Sequence, residues 1–520
     1  MGSEDAMVFT LRTGIDFLFQ DFKPEDGEEI SVMVVGTENG GVHLSIYDSF
    51  PIGKFRYDSK DDDGQLICHA SHPDVSTHAL LFKPSSKNEG TKVLDIVPLD
   101  LSFIVSSPIN LSLLASKLTT LQKLLRYLKQ AFLHMQVEYK NTQELPTKFL
   151  GVIQETLREP ESVGPRDIVA SLYHTMVTGH VYAPVKEWLV DNLAERVRYP
   201  VFNCFFFAHL WLTLVQGHKR WDKAVTSGLE SLRSLLHENL LPALDRAAII
   251  LSRLKGLAQF HTSRSDMGLS VPLLTRLGDI IGSLTLVGHR TLLIVMEELE
   301  LFTSFSTWLR LQIDLLASTS SSASDELAER EMMINQPAVL TYIRRYLLQS
   351  PLETFLSAND ANDDGPGEFP WAELAARRDG CLLDVVRDEI AKERERQELD
   401  ETERQHDATS FACQARCLLQ FLEREAGSLF QGVAEAQRRS VRFGDRVTVV
   451  LGGDAARVDL RMGALYRDNV SFSSPLRLVR SRACSGIAGD LPITDMHLSR
   501  LLGRRGWSNL YSRYNQDQGL

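Results

Sequence analysis

The chain has 520 residues, 43% of them hydrophobic, and a formal net charge of −12, so it is long enough for two or three domains with sizeable cores. The acidic balance argues against a nucleic-acid-binding protein, because phosphate binding needs clustered lysine and arginine. Six scattered cysteines without a CxxC pair argue against a disulfide framework and favour a reducing compartment, and the N-terminus lacks the basic, apolar pattern of a secretory leader.

The first hundred residues predict β-strands. An apolar run at 30–36 and an alternating run at 42–47 flank the turn signal Asn39-Gly40-Gly41, which indicates a hairpin. Further short strands are predicted near residues 65–70, 79–82 and 92–99. Such spacing is typical of propeller blades or a sandwich, but about two blades are too few for a propeller, which needs at least four. We therefore expect these strands not to close a propeller within this chain.

The pattern then changes to that of long helices. Apolar residues recur with alternating spacings of three and four from Leu111 to Tyr139, which predicts a helix starting near Asn110. The members of this seam are Leu111, Leu114, Leu118, Leu121, Leu125, Leu128, Phe132, Met135 and Tyr139.

Three more long helices are predicted, at 166–196, 219–260 and 271–316. Pro242 is expected to kink or break the third helix, since proline cannot donate within a helix. The fourth repeats the strict seam, with Ser306 as its one polar interruption. Such apolar seams bury one another, which predicts an antiparallel four-helix bundle with crossing angles of about 20°.

Beyond the predicted bundle the chain is more polar. A linker at 318–324 precedes a shorter helix with Val339 and Ile343 on its apolar side, and residues 359–367 form a clear break. Residues 384–407 are dense in both charge signs and are interpreted as a solvated helix face. The pattern is helical again at 428–439, returns to strands at 441 and loses clear periodicity after about 472.

These elements predict a mainly α fold with flanking β: a long antiparallel four-helix bundle inserted in a partial β-propeller. The predicted domains are partial propeller strands at 1–106, a helical long domain at 107–358, an acidic linker with charged helices at 359–440, and C-terminal strands with an irregular tail at 441–520.

Few residues suggest chemistry. Cys68, His69, His72 and His78 match no zinc spacing and are interpreted as ordinary strand and loop residues. Cys413 and Cys417 lie one helical turn apart without a partner pair and are interpreted as core or half-exposed thiols. The apolar stretch 200–215 is shorter than the roughly 20 residues of a membrane-spanning helix and contains Asn203 and His209. We therefore expect no membrane contact.

Phosphate- and calcium-binding loops are not indicated either. Gly36, Gly40 and Gly41 belong to a hairpin turn instead of a GxGxxG loop, and the acidic run 61–63 before Gly64 lacks the other positions of a calcium loop. The Walker, HExxH and GxSxG signatures do not occur. The sequence thus predicts no catalytic, cofactor-binding or metal-binding residues, no cofactor, no small-molecule substrate and no enzymatic activity.

Several stretches resemble subunit 4 of the anaphase-promoting complex. They are VMVVGTENGGVHLSIYDSFPIGKF, SPINLSLLASKLTTLQKLLRYL, GHKRWDKAVTSGLESLRSLLHENLLPALDRAAIILSRLKGLAQF and FTSFSTWLRLQID. The resemblance covers about residues 30–355 and, more weakly, 381–452. That family has a WD-repeat propeller interrupted by a helical long domain, which is the order of elements predicted here. Because the resemblance implies propeller blades upstream, we expect an incomplete or misassembled chain.

The resemblance implies a structural scaffold in the anaphase-promoting complex (cyclosome), a cullin- and RING-containing ubiquitin ligase that controls mitotic progression and exit. It further implies contacts with other subunits, among them subunits 1 and 5, nuclear and cytoplasmic localisation, and no ubiquitin-transfer chemistry in this chain. The alternative is a propeller-plus-helix subunit of a vesicle coat or tethering complex. Such a protein would more often show regular helix pairs stacked as a solenoid.

One stretch differs from its surroundings. Residues 197–216 are apolar and aromatic without a helical period, whereas the flanking segments are amphipathic and charged. Deleting them would join Arg196 to Gly217 and yield a junction that resembles the family sequence. We therefore interpret 197–216 as a translated intron, with a buried apolar loop or hydrophobic hairpin as the alternative.

Overall fold

The computed structural model describes most of the chain between residues 32 and 472. The described ranges are 32–37, 40–46, 50–56, 65–71, 76–83, 92–103, 108–159, 164–193, 217–260, 267–317, 324–356, 381–398, 415–451, 464–465 and 471–472. The predicted intron at 197–216, the linker at 318–323 and most of the C-terminal tail lie outside these ranges.

The chain divides into two compact units, named here by their secondary structure. Of the described residues, the helical unit comprises those within Thr120–Thr262 and Ser270–Leu429, and the sheet unit comprises those within Pro24–Thr119, Ser263–Leu269 and Phe430–Leu520. The fold is therefore mainly α with flanking antiparallel β, as predicted. The finer division into four domains stays a prediction.

The sheet unit begins with three antiparallel strands, β1 (Val32–Gly36), β2 (Gly41–Ile46) and β3 (Phe50–Arg56), paired in chain order. The predicted hairpin is confirmed: Gly36 pairs with Val42, and Gly40 closes the turn with a φ of 70°. Strand β3 was missed by the sequence pattern, because Pro51 and Gly53 are poor strand formers.

The second sheet joins strands from both sides of the helices. Strands β4 (Gln65–Ser71), β5 (Thr77–Lys83) and β6 (Lys92–Leu101) pair antiparallel in chain order. The other side of β6 pairs with β7 (Val441–Phe443) and β8 (Val447–Leu451). Two further short strands, β9 (Ala464–Leu465) and β10 (Ser471–Phe472), pair with each other.

Polar contacts fasten the late strands to the early ones. Arg446 forms a 2.5 Å ion pair with Asp95 of β6, whose carboxylate also accepts a 2.9 Å hydrogen bond from Thr448. The Ser102 hydroxyl donates to the Ser440 carbonyl at 2.8 Å. Asp95 and Thr448 are 353 positions apart along the chain, so the helices form one long insertion between strands of a single sheet.

The structure has eleven described helices. They are α1 (Pro108–Arg158), α2 (Ile168–Thr178), α3 (Ala183–Trp188), α4 (Gly217–Ser234), α5 (Leu241–Phe260), α6 (Val271–Ala317), α7 (Ser324–Met332), α8 (Gln336–Arg345), α9 (Leu352–Leu356), α10 (Leu382–Glu398) and α11 (Ala415–Ser440). A π-helical turn, Leu189–Leu193, continues α3, and another, Leu235–Leu240, joins α4 to α5.

The seams predicted from spacing are buried. Eight of the nine seam residues on α1, from Leu111 to Met135, have side chains at most 8% exposed, while Tyr139 is half-buried. The apolar stripe predicted on the third helix is buried as well; its members are Val225, Leu229, Leu232, Leu236, Leu240 and Leu244. On α6, the predicted seam members Val295, Phe302, Leu309 and Ile313 are buried, whereas Leu292, Leu299 and Leu316 are half-buried. The amphipathic spacing therefore identified the faces that form the core.

The predicted helix at 166–196 is wrong as one continuous element. Helix α2 ends at Gly179, whose φ of 72° is left-handed and whose amide donates to the Thr175 carbonyl at 2.9 Å. This is the glycine C-cap that terminates many helices, and the chain restarts as α3. In the long third helix, the π-helical turn Leu235–Leu240 separates α4 from α5 directly before Pro242, which is where the sequence predicts a kink or a break.

Candidate functional site

The cysteine and histidines of the second sheet do not converge on one point. Cys68 is buried, whereas His69 follows it on β4 and therefore faces the opposite side of the sheet. His69 Nε2 lies 3.0 Å from His78 Nδ1, and the two rings stack with centroids 5.1 Å apart. His72 lies outside the described residues. Burial lowers the pKa of His69 and, together with the neighbouring imidazole, lowers that of His78 to about 4.

The remaining candidates from the sequence have structural roles where the structure describes them. Cys417 is half-buried on α11, and burial raises the pKa of its thiol, so it lacks the character of an activated thiolate. The Thr37 hydroxyl accepts a 3.0 Å hydrogen bond from the Gly41 amide, so the glycines form a turn between strands. Cys413 and the acidic run 61–63 with Gly64 lie outside the described residues. Among the described residues, no three potential ligands from His, Cys, Asp and Glu are grouped to hold a metal ion.

A serine, a histidine and an aspartate do meet inside the helical unit. The Ser306 hydroxyl of α6 donates a 2.5 Å hydrogen bond to Asp222 Oδ1 of α4. His218 Nε2 lies 3.1 Å from the Ser306 carbonyl oxygen and 3.2 Å from its hydroxyl. Burial lowers the pKa of His218, which favours the neutral ring.

This cluster lacks the geometry of a catalytic triad. In a triad the histidine accepts the serine proton and the carboxylate orients the histidine. Here the Ser306 hydroxyl donates its hydrogen bond directly to Asp222. The Ser306 carbonyl can accept a hydrogen bond from His218 Nε2. The three side chains therefore tie α4 to α6. Sequence reasoning noted Ser306 as an interruption of the seam, but its partners lie more than 80 positions away.

A second polar cluster surrounds Glu298 on α6, a carboxyl that is only 1% exposed. It accepts a 2.6 Å hydrogen bond from the Ser350 hydroxyl, which in turn accepts the Leu352 amide at 3.2 Å. Burial raises the pKa of Glu298 to about 7. No sequence pattern points to this cluster, because Glu298 lies beside other glutamates of an amphipathic helix.

Aromatic rings connect the same helices through the core. Trp221 of α4 lies 6.0 Å from Phe149, 6.4 Å from Trp188 and 6.1 Å from Phe305, measured between ring centroids. Phe305 stacks on Tyr342 of α8 at 4.8 Å. These contacts hold α1, α3, α4, α6 and α8 together. Large buried rings at such distances are typical of a rigid core.

The interior of the helical unit is closely packed. A cavity of about 10 Å³, lined by apolar side chains such as Phe132, Leu240 and Leu419, is about the size of one water molecule. It is too small and too apolar for a substrate. One described helix, Val271–Leu316, is long and apolar enough to cross a membrane, but half of its most apolar stretch is buried within the protein, as in an ordinary core helix.

The outer face of α2 stands out among the exposed surfaces. Its eleven residues contain no lysine, arginine, aspartate or glutamate. Tyr173 and Val177, one helical turn apart, are 54% and 62% exposed. Beside them, the His174 ring lies 4.7 Å from the Tyr182 ring and 6.0 Å from the His180 ring. An exposed, uncharged, aromatic surface of this kind is typical of protein–protein contacts.

Comparison with known proteins identifies what the chain is similar to. Residues 95–198 and 209–319 match the family described as anaphase-promoting complex, cyclosome, subunit 4. The matched residues run from β6 through α6, with an interruption inside the predicted intron at 197–216. Anaphase-promoting complex subunit 4 of Schizosaccharomyces pombe is 21% identical over 363 residues, which cover 69% of this chain and 46% of that protein. The chain thus spans about half the length of this curated relative, and the predicted resemblance to the family is confirmed.

Proposed function

Because the chain is an anaphase-promoting complex subunit 4-like protein, we propose that it is a non-catalytic scaffold of the anaphase-promoting complex. The observation that carries the proposal is the family match, which spans the long helices α1 and α4 to α6. In this role the chain holds other subunits of a cullin–RING ubiquitin ligase in register during mitosis. Its partners include subunits 1 and 5, and it is nuclear and cytoplasmic.

The architecture supports a scaffold role on physical grounds. At about 1.5 Å per residue, the 51 residues of α1 and the 47 of α6 span roughly 75 and 70 Å. The insertion of these helices between β6 and β7 supports the interpretation of an antiparallel bundle inserted in a WD-repeat propeller. Rigid rods with closely packed cores present long surfaces to several partners at once.

The proposal also assigns the uncharged face of α2 to a subunit contact. Its occupant is an apolar surface of a neighbouring subunit, because a helix without lysine, arginine, aspartate or glutamate offers no permanent charge for a charged partner to pair with. Exposed Tyr173 and Val177 provide the anchor residues, and such aromatic anchors carry a large share of binding energy at interfaces.

Substitution on this face tests the assignment. The double variant Tyr173→Glu with Val177→Glu adds two charges to an exposed surface, so we expect it to fold normally but to recover at least about ten-fold less of the complex in affinity purification. Ser252→Glu, which charges the exposed side of α5, is the matched control and should recover the complex normally. Normal recovery by the double variant would contradict the assignment.

Enzymatic assays test the non-catalytic role. We expect the purified chain, given only the activating and conjugating enzymes, to form no ubiquitin chains. Complex isolated through another subunit from cells depleted of this chain should ubiquitinate a mitotic cyclin less well than complex from control cells, and adding the chain back should restore it. Ubiquitin transfer by the isolated chain, or an unaffected complex, would overturn the proposal.

A further inference from the structure

The segment after α8 packs against α6 through hydrogen bonds and buried side chains. We call residues 346–356 the strap. Leu352, Phe355 and Leu356 of the strap are at most 2% exposed. Its most buried polar contact is the 2.6 Å hydrogen bond that the Ser350 hydroxyl donates to Glu298 Oε2. Ser350 also caps the start of α9. Its hydroxyl accepts a hydrogen bond from the Leu352 amide, and its carbonyl accepts one from the Glu353 amide.

The surroundings of Glu298 offer little to an ionised carboxylate. Within the described part of the chain, burial and the Ser350 hydrogen bond are the two influences on its pKa, and no cation is among them. Tyr139 of α1 and Tyr342 of α8 face it, both with pKa values raised by burial and by the Glu298 charge. Tyr346 of the strap also faces it, and burial together with the charges of Glu297 and Glu298 raises the pKa of Tyr346.

The charged groups around these tyrosines are also mostly acidic. The charge of Glu353 of α9 raises the pKa of Tyr139, and Glu297 of α6 forms a hydrogen bond with Tyr346. Arg345 at the end of α8 lowers the pKa of Tyr346, which is the one cationic influence among these groups. A buried carboxylate with one hydroxyl donor and acidic neighbours is costly to ionise.

We propose that Glu298 and the strap form a proton-sensitive latch, closed while Glu298 is neutral and loosened when it ionises. Opening the strap removes Ser350 and the buried side chains from around the carboxyl and admits water to it. The open form therefore favours the ionised carboxylate, and the closed form favours the neutral acid. Since ionisation and opening favour each other, a rise in pH shifts the strap toward its open form.

Hydrogen exchange of the full chain tests the latch. The closed and open forms bind the Glu298 proton with pKa values of about 7 and 4.5, so the opening constant of the strap should rise about ten-fold between pH 6 and pH 8. The measurement is amide exchange of a peptide covering the strap, corrected for the intrinsic pH dependence of exchange. An opening constant that is equal at both pH values would overturn the proposal.

Three variants distinguish the latch from general loosening. Glu298→Gln keeps an acceptor for Ser350 but cannot ionise, so its opening constant should not change with pH. Glu300→Gln, an exposed acid two positions along α6, should keep the ten-fold rise. Ser350→Ala removes the bond that lowers the pKa of Glu298, so the midpoint of the rise should move to higher pH. The same pH response in Glu298→Gln as in the unaltered chain, or an unmoved midpoint in Ser350→Ala, would refute the latch.

Discussion

At the scale of single residues, the apolar seams were readable from spacing but the polar groups inside them were not. Leu121 and Leu229 are buried where the alternating spacing predicts. Ser306 and Glu298 are also buried, and each is satisfied by a partner far away along the chain. A hydrogen bond between positions 52 or 84 residues apart leaves no periodic signal in a single sequence.

Charging the seam should unfold the helical unit. Leu121→Asp places a carboxylate where the leucine is 1% exposed, so we expect a loss of about 3–5 kcal/mol in the free energy of unfolding. Leu133→Asp on the same helix, at a position 40% exposed, should cost less than about 1 kcal/mol. Urea denaturation followed by circular dichroism measures both, and an equal loss in the two variants would refute the seam assignment.

The stacked histidines make the sheet unit sensitive to acid. Burial and the neighbouring His69 lower the pKa of His78 to about 4, below the ordinary 6.5. Between these values the unfolded chain binds more protons than the folded chain, so stability is present above pH 6.5 and is lost as the pH falls toward 4.

Substitution of His78 should reduce this sensitivity. We expect His78→Gln to lose less stability between pH 7 and pH 5 than the unaltered chain, measured by thermal unfolding at each pH. His289→Gln, which alters an exposed histidine of α6, should leave the pH dependence unchanged. A steeper or identical pH dependence in His78→Gln would contradict the account.

At the scale of elements, helix identity was predictable and helix ends were less so. The prediction for 271–316 matches α6 within one residue, because its seam has no competing turn signal. In 166–196 the apolar pattern outweighed the Gly179 stop signal, which the structure uses as a left-handed cap. Pro242 marks the place where the predicted third helix divides, since the π-helical turn Leu235–Leu240 separates α4 from α5 just before it.

Two glycines within helices should respond oppositely to alanine. A Cβ at Gly228 of α4 would overlap the Thr142 side chain of α1, whereas nothing lies within 4 Å of a Cβ at Gly256 of α5. Gly228→Ala should therefore destabilise the helical unit by about 1–3 kcal/mol through overpacking. Gly256→Ala should stabilise it by up to about 1 kcal/mol through helix propensity. Chemical denaturation gives both values, and stabilisation by Gly228→Ala would show that the helices are not in close contact.

At the scale of the whole molecule, the order of strands, long helices and strands was predictable, and the joining of the two sets of strands was not. The pairing of β6 with β7 and β8 depends on contacts across more than 300 residues, such as that between Asp95 and Thr448. Periodicity reports which face of a strand is buried, but it does not report the strand's neighbour. The predicted propeller and its missing blades stay predictions.

The proposed function rests on similarity at this same scale, because no local chemistry identifies a scaffold. The family match covers the helices, and the exposed face of α2 is the surface proposed for a partner. A vesicle coat or tethering subunit would also combine strands with long helices. The two classes of protein therefore differ in the proteins that bind to the chain.

The most direct test of the central claim is therefore the identity of the proteins bound to the chain in dividing cells. The full chain is tagged, isolated at physiological salt and analysed by quantitative mass spectrometry, with an untagged strain as control. The account predicts enrichment of anaphase-promoting complex subunits, including subunits 1 and 5, in near-stoichiometric amounts. Recovery of vesicle-coat or tethering subunits without those of the anaphase-promoting complex would contradict it.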